Sequence, residues 1–237
     1  NCVNCTFSEE AKNEFSKLER FLKGFFCKAV IGYAPKANTV LHSCKVFESD
    51  TLYCVKYTLD SMGRRVVPIN DSATKHVLFY GCSFTYGEGV NDEETFAYQL
   101  GALRNDLQVY NHAYSGYGPQ QLLASLQFEK PSTYVNQQQG YLIYMMLPEH
   151  VYRATGEPYD LHGWGSSSPH SALDGESLVY AANHFDWRPG YTNWQKFLGW
   201  SGLGSYLYQL PSAYAQSDIE LIVAMFKHAK QAYLTEF

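Results

Sequence analysis

Long apolar runs and basic clusters are both missing from this 237-residue sequence. No stretch approaches the roughly 18 apolar residues that span a bilayer, so no transmembrane segment is predicted. The formal net charge is −5 and no stripe of lysine or arginine is present, which argues against nucleic acid as the main partner. The first residues, Asn1-Cys2-Val3-Asn4-Cys5, lack the basic start and apolar stretch of a signal peptide.

Charged residues are also scarce, at 17%, whereas hydrophobic residues reach 46%, a balance typical of a globular protein. The length predicts one large domain, or one domain with a smaller N-terminal extension. The 20 tyrosines are best interpreted as core and general surface residues. A sugar- or peptide-facing surface of stacked rings is the alternative.

Among the cysteines, Cys44 and Cys54 form the best candidate disulfide, because they lie on two strand-like runs around a polar turn. Cys2-x-x-Cys5 has no second cysteine or histidine pair at zinc spacing. We therefore predict no metal site and no cofactor, and interpret these two cysteines as structural. The cysteines weakly favour a soluble, exported protein, periplasmic or extracellular.

Residues 1–75 are predicted to form a small α+β extension, with a helix over 8–26 and a hairpin of strands over 39–47 and 52–59. Residues 76–237 alternate strands and helices, which predicts an α/β domain with a mainly parallel sheet. Its predicted elements are strands over 77–80, 107–110 and 141–147, and helices over 91–103, 119–128 and 217–235. The first of these helices carries an apolar stripe of Phe96, Leu100 and Leu103, and the last begins with the capping box Ser217-x-x-Glu220.

Residues 151–212 are predicted to be irregular, with a hairpin around Leu173-Asp174-Gly175-Glu176, and are the natural place for a substrate-shaping insertion.

Ligands of open α/β sheets bind at the carboxyl ends of the strands. The three predicted strand ends offer Ser83, then Ser115-Gly116, then Glu149-His150. A serine on such a turn is exposed while the core holds its backbone, and nearby N–H groups can stabilise a developing oxyanion. From this local pattern alone, a nucleophile and a turn-capping serine are equally supported.

Two blocks resemble the SGNH hydrolases, also called GDSL esterases or lipases. Phe79-Tyr80-Gly81-Cys82-Ser83-Phe84-Thr85-Tyr86-Gly87-Glu88-Gly89 resembles their first block, and Tyr110-Asn111-His112-Ala113-Tyr114-Ser115-Gly116-Tyr117-Gly118 resembles their second. The resemblance covers about residues 76–237. It implies a three-layer α/β/α, flavodoxin-like fold, Ser83 as the nucleophile, and the N–H groups of Ser83 and Gly116 as oxyanion donors.

The chain departs from the family pattern at three places. Cys82 stands where the family usually has aspartate, and we interpret it as a packing residue. The third block has no asparagine, so either His150 or Arg153 is the third donor or the chain has none. We expect Tyr86, Tyr117, Glu149 and Arg153 to contact substrate. No Asp-x-x-His follows Ser83, which predicts that the catalytic histidine lies beyond Phe237. The histidines after Ser83 are otherwise interpreted as structural: His112, His150, His162, His170, His184 and His228.

The predicted function is therefore ester hydrolysis or acyl transfer through Ser83, on a small-molecule or glycan ester, with lipid esters and thioesters as other substrates. The alternative is a degenerate, non-catalytic carbohydrate-binding module that uses Trp164, Trp187, Trp194 and Trp200. A weaker third interpretation is a metal or redox protein built on Cys2 and Cys5. Nothing in the sequence predicts the oligomeric state.

Overall fold

The computed structural model describes residues 25–28, 30–156, 165–175, 177–187 and 214–237, together with Gly190, Asn193, Trp194 and Phe197. Most of the predicted helix over 8–26 and the Cys2-x-x-Cys5 pair lie outside the described residues. The last two residues of that predicted helix belong instead to a strand, β1 (Phe25–Lys28).

Three parallel strands form the central sheet, in the order β6-β5-β7. They are β5 (Lys75–Tyr80), β6 (Leu107–Asn111) and β7 (Gly140–Tyr144). Each strand begins within two residues of its predicted start. The last of them, β7, ends three residues earlier than predicted. The central strand β5 is buried on both faces, as its continuous apolar run predicts.

Helices cover both faces of this sheet. On one face Val77, Phe79 and Val109 pack with Ala97 of α2 (Phe96–Leu103). On the other face Leu78 and Tyr80 pack with residues of α3 (Pro119–Ala124) and α6 (Gln216–Glu236). The protein is thus a mixed α/β fold, with the core divided into two layers by the sheet.

Of the predicted apolar stripe of α2, Leu100 packs against the core on the sheet as predicted, but Phe96 and Leu103 do not. Phe96 is 62% exposed and Leu103 is 77% exposed, whereas Ala97 and Gly101 are buried. A Cβ on Gly101 would lie 3.3 Å from Pro68 and 3.7 Å from Val109. Two small residues, Ala97 and Gly101, allow the helix to lie close to the sheet. Close packing therefore decides which side of the helix is buried, more than the hydrophobicity of its side chains does.

The N-terminal strands are antiparallel pairs: β1 with β2 (Gly32–Pro35), and β3 (Val40–Phe47) with β4 (Asp50–Thr58). Their buried residues share one core with the sheet domain. This core contains Ile31, Tyr33, Ala34, Tyr57 and Leu59 together with Tyr86, Ala113, Tyr114, Tyr117 and Ala124.

Short helices complete the fold around the strand ends. They are α1 (Ser83–Tyr86), α4 (Glu149–Thr155) and α5 (His184–Trp187), with single 3-10 turns at Asp92–Glu94, Pro131–Thr133 and Gly165–Ser167. Helix α3 continues into a π-helical turn, Ser125–Glu129. The predicted irregular segment from residue 151 therefore begins as a helix.

The predicted hairpin around residue 175 is present as β8 (Pro169–Asp174) paired with β9 (Ser177–Asn183). The predicted capping box of the last helix is wrong: the helix begins at Gln216, and Asp218 accepts the Ala215 N–H at 2.8 Å. Within the described part of the chain, no helix has the length and apolar character needed to cross a membrane.

Cys44 and Cys54 are directly opposite each other on β3 and β4 and form a disulfide. Reducing this bond, or substituting Cys44→Ser with Cys54→Ser, is expected to lower the free energy of unfolding by about 2–3 kcal/mol, because a short loop in the unfolded chain is released. Thermal unfolding with and without reductant measures the change. A double variant as stable as the oxidised wild-type protein would show that the prediction is wrong.

Candidate active site

Ser83 lies one short turn beyond the central strand. After β5 ends at Tyr80, Gly81 adopts a φ of +155°, and a Cβ there would overlap the Thr85 side chain. Cys82 precedes α1, and Ser83 is the first residue of that helix and is half-buried. Glycine at position 81 thus allows the chain to reverse sharply enough to bring Ser83 to the surface at the strand end.

The loop that follows Ser83 is held from inside by Arg65, which is 1% exposed. Its Nε donates to Asp92 Oδ1 at 2.8 Å, and its two terminal nitrogens donate to the carbonyls of Gly87 (3.1 Å) and Val90 (3.2 Å). The guanidinium lies 4.4 Å from the centre of the Tyr57 ring. The planar guanidinium of Arg65, with its five N–H donors, therefore holds the loop in place through its backbone carbonyls.

Asn111, at the end of β6, joins the second strand end to the first. Its Nδ2 donates to the Thr85 carbonyl and its Oδ1 accepts the Ala113 N–H, both at 3.1 Å. The chain then turns: the Tyr117 N–H donates to the Tyr114 carbonyl at 3.1 Å, and Gly116 has a φ of +80°. Glycine is the residue expected at this position of such a turn.

Within the described residues, neither the Ser83 hydroxyl nor the Gly116 N–H has a hydrogen-bond partner. As the first residue of α1, Ser83 also has an N–H with no acceptor inside the helix. The structure therefore brings one free hydroxyl and two free N–H groups to adjacent ends of parallel strands. This arrangement is what acyl transfer requires of a nucleophile and its oxyanion donors.

His150 lies at the third strand end, on α4, and is fully buried. Its Nδ1 lies 2.9 Å from the Tyr144 hydroxyl and 3.3 Å from the Leu147 N–H. Because that N–H can only donate, Nδ1 accepts and the proton is on Nε2, for which the described residues offer no partner. Burial, together with the nearby Arg153 cation, lowers the His150 pKa to about 3. His150 is therefore a neutral donor, but it makes no hydrogen bond to Ser83 or Gly116.

The four residues predicted to contact substrate lie in different environments, from the buried core to the surface. Tyr86 and Tyr117 are 1% and 7% exposed and belong to the core, which corrects their predicted role. Arg153 Nη1 donates to the Tyr117 carbonyl at 2.9 Å, so it links α4 to the turn that carries Gly116. Glu149 is exposed at the start of α4.

None of the histidines in the described part of the chain hydrogen-bonds the Ser83 hydroxyl. The His112 ring stacks on Tyr80 with ring centres 4.9 Å apart, and the His228 ring bonds the Ala224 carbonyl within α6. His170 and His184 are buried with ring centres 4.4 Å apart. His162 lies outside the described residues.

Cys82 is fully buried beside Ser83, in agreement with its interpretation as a packing residue. Of the tryptophans proposed for the binding alternative, Trp187 stacks on His170 at 3.8 Å and Trp194 is 55% exposed. Trp164 and Trp200 lie outside the described residues. Among the residues described, no cluster of histidine, cysteine, aspartate and glutamate has the geometry to hold a metal ion.

Two cavities lie near the sheet, and Ser83 lines neither. One, of about 40 Å³, is bordered by Tyr80, His112 and Tyr134. The other is a groove of about 750 Å³ along the outer edge of β6, bordered by Val109 and Tyr110.

Sequence reasoning missed Arg65, Glu88 and Asn111, which hold the site together. Asn111 lies within the second family-like block and Glu88 within the first, so their positions were the available signal. Arg65 lies in a stretch without any recognisable motif. Comparisons of the chain with protein-family models, with curated proteins and with solved structures gave no match.

Proposed function

We propose that this protein is a serine ester hydrolase or acyltransferase of the SGNH type, with Ser83 as its nucleophile. The observation that carries the proposal is the placement of an unbonded Ser83 hydroxyl beside the free N–H groups of Ser83 and Gly116 at adjacent strand ends. Helices on both faces of a parallel sheet support the same family, because its three-layer fold has that arrangement.

In the proposed reaction, Ser83 Oγ attacks the ester carbonyl carbon and its proton passes to a base. The N–H groups of Ser83 and Gly116 stabilise the negative charge on the carbonyl oxygen. The bond to the alcohol then breaks, the alcohol leaves protonated, and an acyl group remains on Ser83. Water or a second alcohol attacks this acyl group and regenerates the serine.

The family's third donor is an asparagine, and His150 is the donor type that this chain offers near the third strand end. Its Nε2 proton and neutral state suit a hydrogen-bond donor and not a general base, because a pKa near 3 leaves it a weak proton acceptor. The proton acceptor for Ser83 is therefore not His150.

A fluorophosphonate probe tests the nucleophile directly. The wild-type protein is expected to gain one probe mass, located on Ser83 by peptide mass spectrometry, and Ser83→Ala is expected to remain unlabelled. Cys82→Ala is the matched control, because it removes the neighbouring nucleophilic atom and should be labelled normally. An unlabelled wild type, or labelling that survives Ser83→Ala, contradicts the proposal.

A non-catalytic carbohydrate-binding module on the same scaffold is the second candidate. The observation that favours it is the absence of any histidine bonded to Ser83 in the described residues, together with the exposed Trp194 ring. Binding on a glycan array that survives Ser83→Ala but is lost in Trp194→Ala, with no ester turnover by the wild type, would support this candidate over the enzyme.

We also propose that the protein works in an oxidising compartment, periplasmic or extracellular. The Cys44–Cys54 disulfide supports this, since such bonds persist mainly outside the reducing cytosol. Substrates are proposed to be small-molecule or glycan esters.

A further inference from the structure

Glu88 is the one described residue that hydrogen-bonds both to Ser83 and to the turn carrying Gly116. Its backbone N–H donates to the Ser83 carbonyl at 2.9 Å. Its side-chain Oε2 accepts the Ser115 hydroxyl at 3.0 Å, and Ser115 directly precedes Gly116. A single residue therefore spans the gap between the nucleophile and the proposed oxyanion donor.

Both ends of this bridge are themselves anchored. On the Glu88 side, the Gly89 N–H donates to the Tyr57 hydroxyl at 2.8 Å, and Arg65 holds the Gly87 carbonyl. On the Ser115 side, the Tyr33 hydroxyl donates to the Ser115 carbonyl at 2.9 Å. Because each loop is held by its own contacts, the Glu88–Ser115 bond adds a direct link that bears on the separation of the two loops.

We propose that Glu88 is a positioning residue that sets the distance between Ser83 Oγ and the Gly116 N–H, an inference that rests on the proposed function. An oxyanion donor must lie about 2.7–3.1 Å from the charged oxygen, so small loop shifts cost rate. Glu88 does not act as the general base, since its carboxylate accepts the Ser115 hydroxyl and makes no bond to the Ser83 hydroxyl.

The bridge is tested by the rate of fluorophosphonate labelling at Ser83 in the full chain. Glu88→Ala and Ser115→Ala are each expected to slow labelling by about 10- to 100-fold, as misplaced catalytic groups do. The double variant should be no slower than either single one, since both remove the same bond. Glu88→Gln should restore most of the rate, because its amide oxygen still accepts the Ser115 hydroxyl.

Glu93→Ala is the matched control, an exposed glutamate of the neighbouring turn, and should label at the wild-type rate. Melting temperatures should be unchanged across the set, which separates positioning from unfolding. Two outcomes overturn the proposal: Glu88→Gln as slow as Glu88→Ala, which would indicate that the negative charge is needed, or additive losses in the double variant.

A wild type that is not labelled at Ser83 would contradict the proposed function, and amide hydrogen exchange then tests the bridge without activity. Exchange in the Tyr114–Tyr117 turn should be faster in Glu88→Ala and Ser115→Ala than in the wild type or Glu88→Gln. Unchanged exchange in both alanine variants overturns the bridge, whatever the labelling shows.

Discussion

Substituting Arg65→Met is expected to lower the free energy of unfolding by about 3–5 kcal/mol, because it leaves the buried Asp92 carboxylate without its cation. The melting temperature should fall by roughly 10 °C for a chain of this size. The buried ion pair, at 2.8 Å, is the reason for so large a change, since the Arg65 side chain is fully buried and that of Asp92 is 8% exposed. Chemical denaturation and calorimetry measure the two quantities.

The Arg104–Asp106 pair gives a matched control. It is shorter, at 2.6 Å, but both side chains are more than half exposed, so solvent screens the attraction. Arg104→Met should leave the melting temperature unchanged. Arg65→Lys should fall between wild type and Arg65→Met, because lysine keeps the charge but not the planar set of donors. Equal shifts for Arg65→Met and Arg104→Met would contradict the role given to the buried pair.

Acidification is expected to destabilise the protein well before its carboxylates titrate. Burial lowers the pKa of both His150 and His184 to about 3, helped by Arg153 at the first and by His170 at the second. In the unfolded chain both recover a pKa near 6.5 and take up protons first. Stability is therefore complete above pH 6.5 and is lost as the pH falls below it.

The expected slope is about 3 kcal/mol per pH unit between about pH 6 and pH 5, or two protons taken up on unfolding. Denaturant unfolding at several pH values measures it. His150→Gln, which can still accept the Tyr144 hydroxyl, should reduce the uptake by one proton. A flat profile from pH 7 to pH 5 would contradict the buried, neutral state of these two rings.

The sequence predicted correctly the elements whose residues follow a single, simple hydrophobicity pattern. The continuous apolar run before Ser83 predicted a strand buried on both faces, and the alternating runs around residue 49 predicted the hairpin and its Cys44–Cys54 pair. In these strands, the residue types that favour the local structure are also the ones that the tertiary environment needs.

Where local hydrophobicity and packing disagree, the prediction was wrong. Helix α2 presents Ala97 and Gly101 to the sheet, not Phe96 and Leu103, because close approach needs small side chains. Tyr86 and Tyr117, which lie within the two family-like blocks, were predicted to contact substrate, yet both are core residues. A position within such a block does not determine which way a side chain points.

Of the candidate site, the sequence predicted the two residues at the strand ends but not the residues that hold them in place. Ser83 and Gly116 follow buried strands, and that position could be read from the sequence. The residues that hold them act across 22 to 27 positions of the chain. Arg65 and Asn111 bond the carbonyls of Gly87 and Thr85, and Glu88 bonds the Ser115 hydroxyl. These contacts carry no sequence signature.

The contacts of Tyr33 and Arg65 bear on how small a gene fragment could encode this site. A fragment that starts at His76 would still encode the central strand, the serine and the glycine turn. It would lack the hydroxyl that anchors the Ser115 carbonyl and the guanidinium that holds the loop after the serine. The smallest transplantable unit therefore begins upstream of Tyr33, and an evolutionary rearrangement that separated the two parts would leave Ser83 without a defined geometry.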